Sequence, residues 1–325
     1  MLAVSTKPPV KYCAAIVLAL SFAAAPVWAD DSANVREWLE KMSHAPSELN
    51  YHGTFVYMHN KQMLTMQITH KVDADGEHER LVSLNGAGRQ ILRDDNSITV
   101  ISASELATLA KTRPRQPFPA ILRTDIDELT KYYDFSLAGE ERIADHTTQR
   151  ILVQPKDNYR YGYRFWVDKA SGLLLKADMV REANTPVEQL MFTEITLESS
   201  PKKPHVNQAA DQLKSAEEAR HALVEDAGWK VAGPDGFKLV EHTKYPTPMN
   251  ALPVDHLVLS DGLAAVSVFI EKFDAANDKF IGSSRRGAVN AFGTVNEDHQ
   301  ITVVGEVPQA TVQLIGESVK RAGEP

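Results

Sequence analysis

The sequence predicts a mainly β protein of the α+β class, with two sheet-built domains behind an export signal. Three observations lead there. Period-two alternation recurs through most of the chain after residue 50. Strong hairpin turns, Asn85-Gly86 and Asp261-Gly262, separate alternating runs. A polar, proline-flanked stretch over 199–222 divides a larger first part from a smaller second one.

The pattern is clearest over residues 161–181. Tyr161, Tyr163, Phe165 and Val167 share one face of the first run, and Arg164, Trp166 and Asp168 share the other. Leu173, Leu175, Ala177 and Met179 share a face of the second run, with Lys176 and Asp178 opposite. Residues 169–172 connect the two, and Gly172 is free to take positive φ there. The greasy face of this central hairpin suits the concave interior of a curved sheet.

The N-terminus sets the compartment. Lys7 and Lys11 precede an apolar run over 12–25, then Pro26 and Val27-Trp28-Ala29 before Asp30-Asp31. That is a charged region, an apolar core of secretory length and a small-residue cleavage site, so residues 1–29 are read as a signal peptide and the mature chain as periplasmic. The apolar run falls short of the roughly 20 residues of a membrane span. The single cysteine, Cys13, lies inside the signal, so the mature chain has neither a disulfide nor a cysteine nucleophile. Losing Lys7 and Lys11 with the signal takes the formal charge from −8 to −10. With a pI near 5.8, that charge argues against nucleic acid as a partner.

The first domain is assigned to 30–198. Ser32 is placed to cap a short helix with Val35, Trp38, Leu39 and Met42 on one stripe. An antiparallel meander follows over 51–102, its turns at 59–62, 73–76, 85–86 and 94–96, and it is expected to stop at Glu105. Three prolines within 114–119 preclude a regular element there. A short helix is expected over 125–132, and strands resume at 135–138, 150–154, the central hairpin and 187–197. The linker is 199–222. The second domain, 223–325, carries strands near 237–242, 255–260, 263–271, 287–292 and 300–304. Its last helix starts at Pro308, with Val312, Ile315 and Val319 on one stripe.

Motifs for chemistry are missing. There is no G-x-S-x-G elbow and no glycine-rich phosphate loop. His78-Glu79-Arg80-Leu81-Val82 lacks the second histidine of a zinc-protease motif, and 73–76 lacks the rest of a calcium loop. The eleven histidines show no metal-ligand spacing. No metal, no cofactor and no enzymatic activity are expected. A hydrolase assembled from distant residues is a rival reading.

Surfaces remain. Tyr51, Phe55, Tyr57, Met66, Leu81, Ile91, Phe165, Leu175 and Met179 form one apolar face. It is either an ordinary core or the wall of a half-open barrel admitting a lipid tail, for which adaptable methionines are suited. The 111–119 loop offers Lys111, Arg113 and Arg115 to anionic head groups or a partner, and Phe118 to an apolar layer. Arg285-Arg286 is either a surface turn or a carboxylate-binding pair. Open sheet edges can recruit an extended peptide.

Several stretches resemble a known family. Tyr132-Tyr133-Asp134-Phe135, Arg142-Ile143-Ala144-Asp145, Phe165-Trp166-Val167-Asp168, Ser260-Asp261-Gly262-Leu263 and Ile301-Thr302-Val303-Val304-Gly305-Glu306 are similar, in this order, to motifs of the RseB/MucB proteins, the pseudomonad members above all. These are periplasmic regulators of the envelope-stress sigma factor. The resemblance implies an unclosed β-barrel first domain similar to LolA and LppX. It implies binding to the periplasmic domain of a MucA/RseA-like anti-sigma factor and its protection from regulated proteolysis. It further implies release by lipid or lipopolysaccharide fragments, and control of envelope stress and alginate production. Self-association stays open, and a plain lipid or lipoprotein carrier is the alternative.

Overall fold

The computed structural model describes residues 31–59, 62–73, 76–94, 97–102, 106–109, 126–181, 185–198, 228–246, 253–272 and 279–322. The expected signal peptide, the linker and the 111–119 loop lie outside them.

Helix α1, Asp31–Glu48, is longer than the short helix expected. Val35, Leu39 and Met42 repeat at helical spacing and are buried together. The strands that follow are β1 (Asn50–His59), β2 (Gln62–Asp73), β3 (Gly76–Ser83), β4 (Arg89–Asp94), β5 (Ser97–Ser102) and β6 (Leu106–Leu109). After a single turn of helix, α2 (Ile126–Leu129), come β7 (Tyr133–Ile143), β8 (His146–Pro155), β9 (Gly162–Asp168), β10 (Leu174–Arg181) and β11 (Thr185–Glu198). All eleven form one antiparallel sheet in the order β6-β5-β4-β3-β2-β1-β11-β10-β9-β8-β7. Pairing β1 with β11 joins the two meanders at the centre. The ends, β6 and β7, do not pair with each other, so the sheet is unclosed.

The smaller sheet runs β13-β14-β15-β18-β17-β16, from β13 (Lys238–Pro246), β14 (Pro253–Ser260), β15 (Ala265–Lys272), β16 (Gly282–Arg286), β17 (Val289–Asn296) and β18 (His299–Gly305). Helix α3 (Gln309–Ser318) buries Val312 and Ile315 against it, and Val319 follows into the same core. A short pair, β12 (Trp229–Lys230) with β19 (Lys320–Arg321), ties the two ends of this part together.

Three elements depart from the sequence reading. The meander runs one strand further, since β6 pairs with β5 beyond Glu105. Strands β7 and β8 reach each other across Ala144-Asp145, both at positive φ (47° and 70°). No glycine marks that turn, so composition hid it. Residues 282–286 form the edge strand β16, where a surface turn was one expectation. Its sequence has no alternation to read because it is exposed; backbone pairing to β17 and a hydrogen bond from Gln309 Nε2 to Ser283 Oγ (2.7 Å) hold it.

Candidate functional site

Register decides which side chains share the concave face of the large sheet. Phe55 lies opposite Phe192 and Met66, Tyr57 opposite Leu190 and Leu64, and Leu81 opposite Ile68 and Ile91. Tyr51, Phe55, Leu81 and Leu175 are buried in one contiguous cluster, with Tyr57, Met66 and Ile91 packed against it. Phe165 instead joins Val167, Ile151 and the α1 stripe in a neighbouring cluster. Met179 sits opposite Tyr163 and Glu188, in neither cluster. Phe55 and Leu175 are 0% exposed, so no water-sized void touches them. A tail entering this face has to displace side chains that already fill it.

The large sheet meets the smaller one along a polar seam that sequence reasoning missed. Arg160, just before β9, and Asp261, in the turn after β14, both have fully buried side chains. Arg160 Nε donates to Asp261 Oδ2 at 2.7 Å, and the Tyr133 hydroxyl donates to the same oxygen at 2.8 Å. The other carboxylate oxygen accepts from the backbone amides of Leu263 (2.9 Å) and Ala264 (2.8 Å). The guanidinium also binds Asp157 and the carbonyl of Asp235. It lies between the rings of Tyr132 and Phe237, 4.7 and 5.1 Å from their centroids. Burial works against its charge, but the two carboxylates outweigh that and hold its pKa above the ordinary value. Burial and Asp261 likewise push the Tyr133 hydroxyl up.

Close approach needs a glycine at 236, where a Cβ would fall 2.6 Å from the Tyr132 ring and φ is +91°. Further along, Asn290 Nδ2 donates to the Tyr161 hydroxyl (3.0 Å) and the Val307 carbonyl (2.7 Å), and Thr311 Oγ1 donates to the Tyr159 carbonyl (2.7 Å). A second polar corner lies next to this one. Glu188 accepts from the Tyr57 hydroxyl at 2.7 Å and pairs with His59 Nδ1 at 2.5 Å. Partial desolvation and the nearby Glu188 carboxylate raise Glu306, beside Val307, to about 7, while His59 pulls it down.

The remaining predicted residues divide simply. Lys111, Arg113, Arg115 and Phe118 lie outside the described residues. Arg285 and Arg286 lie exposed on edge strand β16. Among the described residues no three His, Asp or Glu side chains converge as metal ligands. Asp261 looked in sequence like a turn residue and nothing more. The only hint of Arg160 was an arginine bracketed by Tyr159 and Tyr161 at a strand start, which is a weak signal.

An unclosed antiparallel sheet with a helix in its concavity, sealed by a buried ion pair to a second sheet, is a binding scaffold. Over 34–214 the chain matches the MucB/RseB N-terminal domain, and over 224–320 the MucB/RseB C-terminal domain, and it belongs to that family. Its relatives are regulatory proteins, not enzymes. It is 30% identical over 300 residues to the sigma factor AlgU regulatory protein MucB of Pseudomonas aeruginosa, covering 90% of this chain and 92% of that one. It is 27% identical over 320 residues to the sigma-E factor regulatory protein RseB of Haemophilus influenzae, covering 97% and 99%. Among solved structures, the Pseudomonas aeruginosa MucA/MucB complex superposes with TM-score 0.71 at 30% identity, covering 90% of this chain and 100% of that one. Seam residues Tyr133, Asp261, Leu263 and Glu306 all fall within the motif stretches that first suggested the family.

Proposed function

We propose that this chain is a periplasmic negative regulator of sigma-factor activity. It binds the periplasmic domain of a membrane anti-sigma factor of the MucA/RseA type and withholds it from regulated proteolysis. Lipid or lipopolysaccharide fragments release it, with the envelope stress response and alginate production as outputs. The observation that carries this reading is the end-to-end match, both sheets included, to a chain solved together with MucA.

The geometry suits an extended client. Strands β7 and β16 each have one edge without a strand partner among the described residues, and such edges take up an extended segment by main-chain pairing. A lipid acts as a release signal if it prefers the arrangement of the two sheets that cannot hold the client. A tenfold shift needs only about 1.4 kcal/mol of differential affinity.

The test is protection. The mature chain, added to the purified periplasmic domain of the anti-sigma factor, is expected to bind it and slow its cleavage by the first regulated protease. Absence of binding leaves the plain carrier. That alternative is weaker, because the concave face it would use is occupied by its own aromatic side chains.

A further inference from the structure

The convex face of the large sheet carries a feature the concave face lacks. Side chains alternate, so Val56, Met58 and Lys176 lie on the face opposite Phe55, and the register places Met191 and Trp166 beside them, where both also border the Phe55 cluster. The register sets them in two rows. One runs Trp166, Lys176, Met191, Val56, and the next runs Arg164, Asp178, Gln189, Met58, Met63. Between the rows lies a half-open pocket of about 310 Å³ lined by Val56, Met58, Met63, Lys176, Gln189 and Met191.

Its two ends differ. At the β1–β2 end the wall is methionine, and Met63 is 61% exposed beside Leu84, itself 53% exposed. The Leu84 amide donates to the Thr65 carbonyl at 2.8 Å, which fixes that neighbourhood. At the β10 end the wall is charged, with Arg164 and Lys176 beside Asp178. Arg164 there already faces Asp178, at 3.9 Å, and Asp178 also holds the Gln189 amide. Lys176 lies 3.9 Å over the Trp166 ring and makes no ion pair among the described residues. An exposed apolar strip ending in an ammonium that makes no ion pair among the described residues is unusual on a solvated sheet face.

We propose that this convex trough binds one single-tailed anionic amphiphile, its acidic head at Lys176 and its chain running over Met191, Val56 and Met58 toward Met63. The volume lies at the lower bound of the roughly 300–1,000 Å³ usual for small-molecule sites, which admits one chain. Unbranched methionines form a wall that adapts to a flexible tail. Asp178, offset by Lys176 and Arg164 and bound by Gln189, adjoins the head position, as does Glu141 through Trp166 Nε1; Lys176 is the cation there without an ion pair among the described residues, and it selects the head. The site rests on this geometry, and its use as a release signal rests on the regulatory reading above.

The methionines make the test local, because the mature chain has Met58, Met63 and Met191 on the convex face and Met66 and Met179 on the other. With ¹³C-methyl-methionine labelling, titration of the mature chain with decanoate is expected to shift Met58, Met63 and Met191 saturably. Met66 and Met179 stay still. Octanoate, decanoate and laurate should tighten by about fourfold per methylene until the trough is full. Lys176→Gln is expected to weaken decanoate about tenfold and to leave decanol within about twofold. Met58→Gln, a surface change, should weaken both ligands. Shifts at Met66 and Met179 instead, no saturable shift, or equal loss of decanoate and decanol in Lys176→Gln each overturn the assignment. Binding of the anti-sigma periplasmic domain to both variants without amphiphile is measured alongside. Its failure in the unsubstituted chain removes the regulatory reading and leaves the trough to be judged by the methyl shifts alone.

Discussion

Two corners of the same seam are built in opposite ways. At Arg160 and Asp261 unlike charges meet in full burial, and the carboxylate accepts four hydrogen bonds. At Glu188 and Glu306 like charges approach, and among the described residues Tyr57 and His59 moderate them. The first corner fixes how the sheets meet. The second opposes that arrangement by an amount that depends on protonation. Under the function proposed above, holding a client and then releasing it would draw on both corners.

The strongest way to break the contrast is Asp261→Ala. Removing one partner of a buried ion pair leaves the other charge uncompensated, at a cost of about 3–5 kcal/mol. Arg160 regains water if the seam parts, so the loss is bounded by what the seam itself contributes. The expected result is a larger radius by small-angle scattering with both sheets still folded by circular dichroism. An unchanged radius and urea midpoint would remove the locking role. Exchanging both partners for apolar residues, often neutral elsewhere, is not neutral here, because the Leu263 and Ala264 amides and the Tyr133 hydroxyl lose their acceptor.

Smaller effects should grade away from that corner. Asn290→Ala strands the buried Tyr161 hydroxyl and the Val307 carbonyl, at about 1–3 kcal/mol. Thr311→Val removes one part-buried bond, to the Tyr159 carbonyl, worth about 0.5–1.5 kcal/mol. Urea midpoints for the two variants in that order sharpen the picture, and the reverse order would mean that the seam's strength lies nearer α3.

The parts read correctly from sequence share one property: their signal is local. The 161–181 hairpin, the turns at Gly86 (φ +74°) and Gly262 (φ +102°), and the last helix all follow from alternation, glycine conformations or a stripe within about ten residues. Strand β16 was not legible because nothing on it is buried on either face. The seam was not legible because Arg160 and Asp261 are 101 positions apart. No periodicity links them, and each has a plausible surface role on its own. The apolar face was legible as a face, but whether it is hollow depends on how side chains from eleven strands and α1 interdigitate, which pattern alone does not fix.

The smallest expected effect is the most diagnostic of the second corner. Glu306 is raised from its ordinary 4.5 to about 7 by partial desolvation and by Glu188. An acid with a raised folded pKa favours the folded arrangement when protonated. Its contribution is therefore complete below about 4.5 and is lost as pH rises through about 7. Glu188, His59, Tyr57 and Tyr163 are the titratable groups around it. The Glu306 side chain is open to solvent, which keeps the effect modest beside that of Asp261→Ala. Amide exchange at 305–307 and 187–189, corrected for its intrinsic pH dependence, should lose protection as pH rises from about 4.5 to about 7 and level off above that. Glu306→Gln keeps the shape, removes the titration and should flatten that profile. If the variant and the parent titrate alike, Glu306 is not the group that biases this corner, and the seam then has a lock without a counterweight.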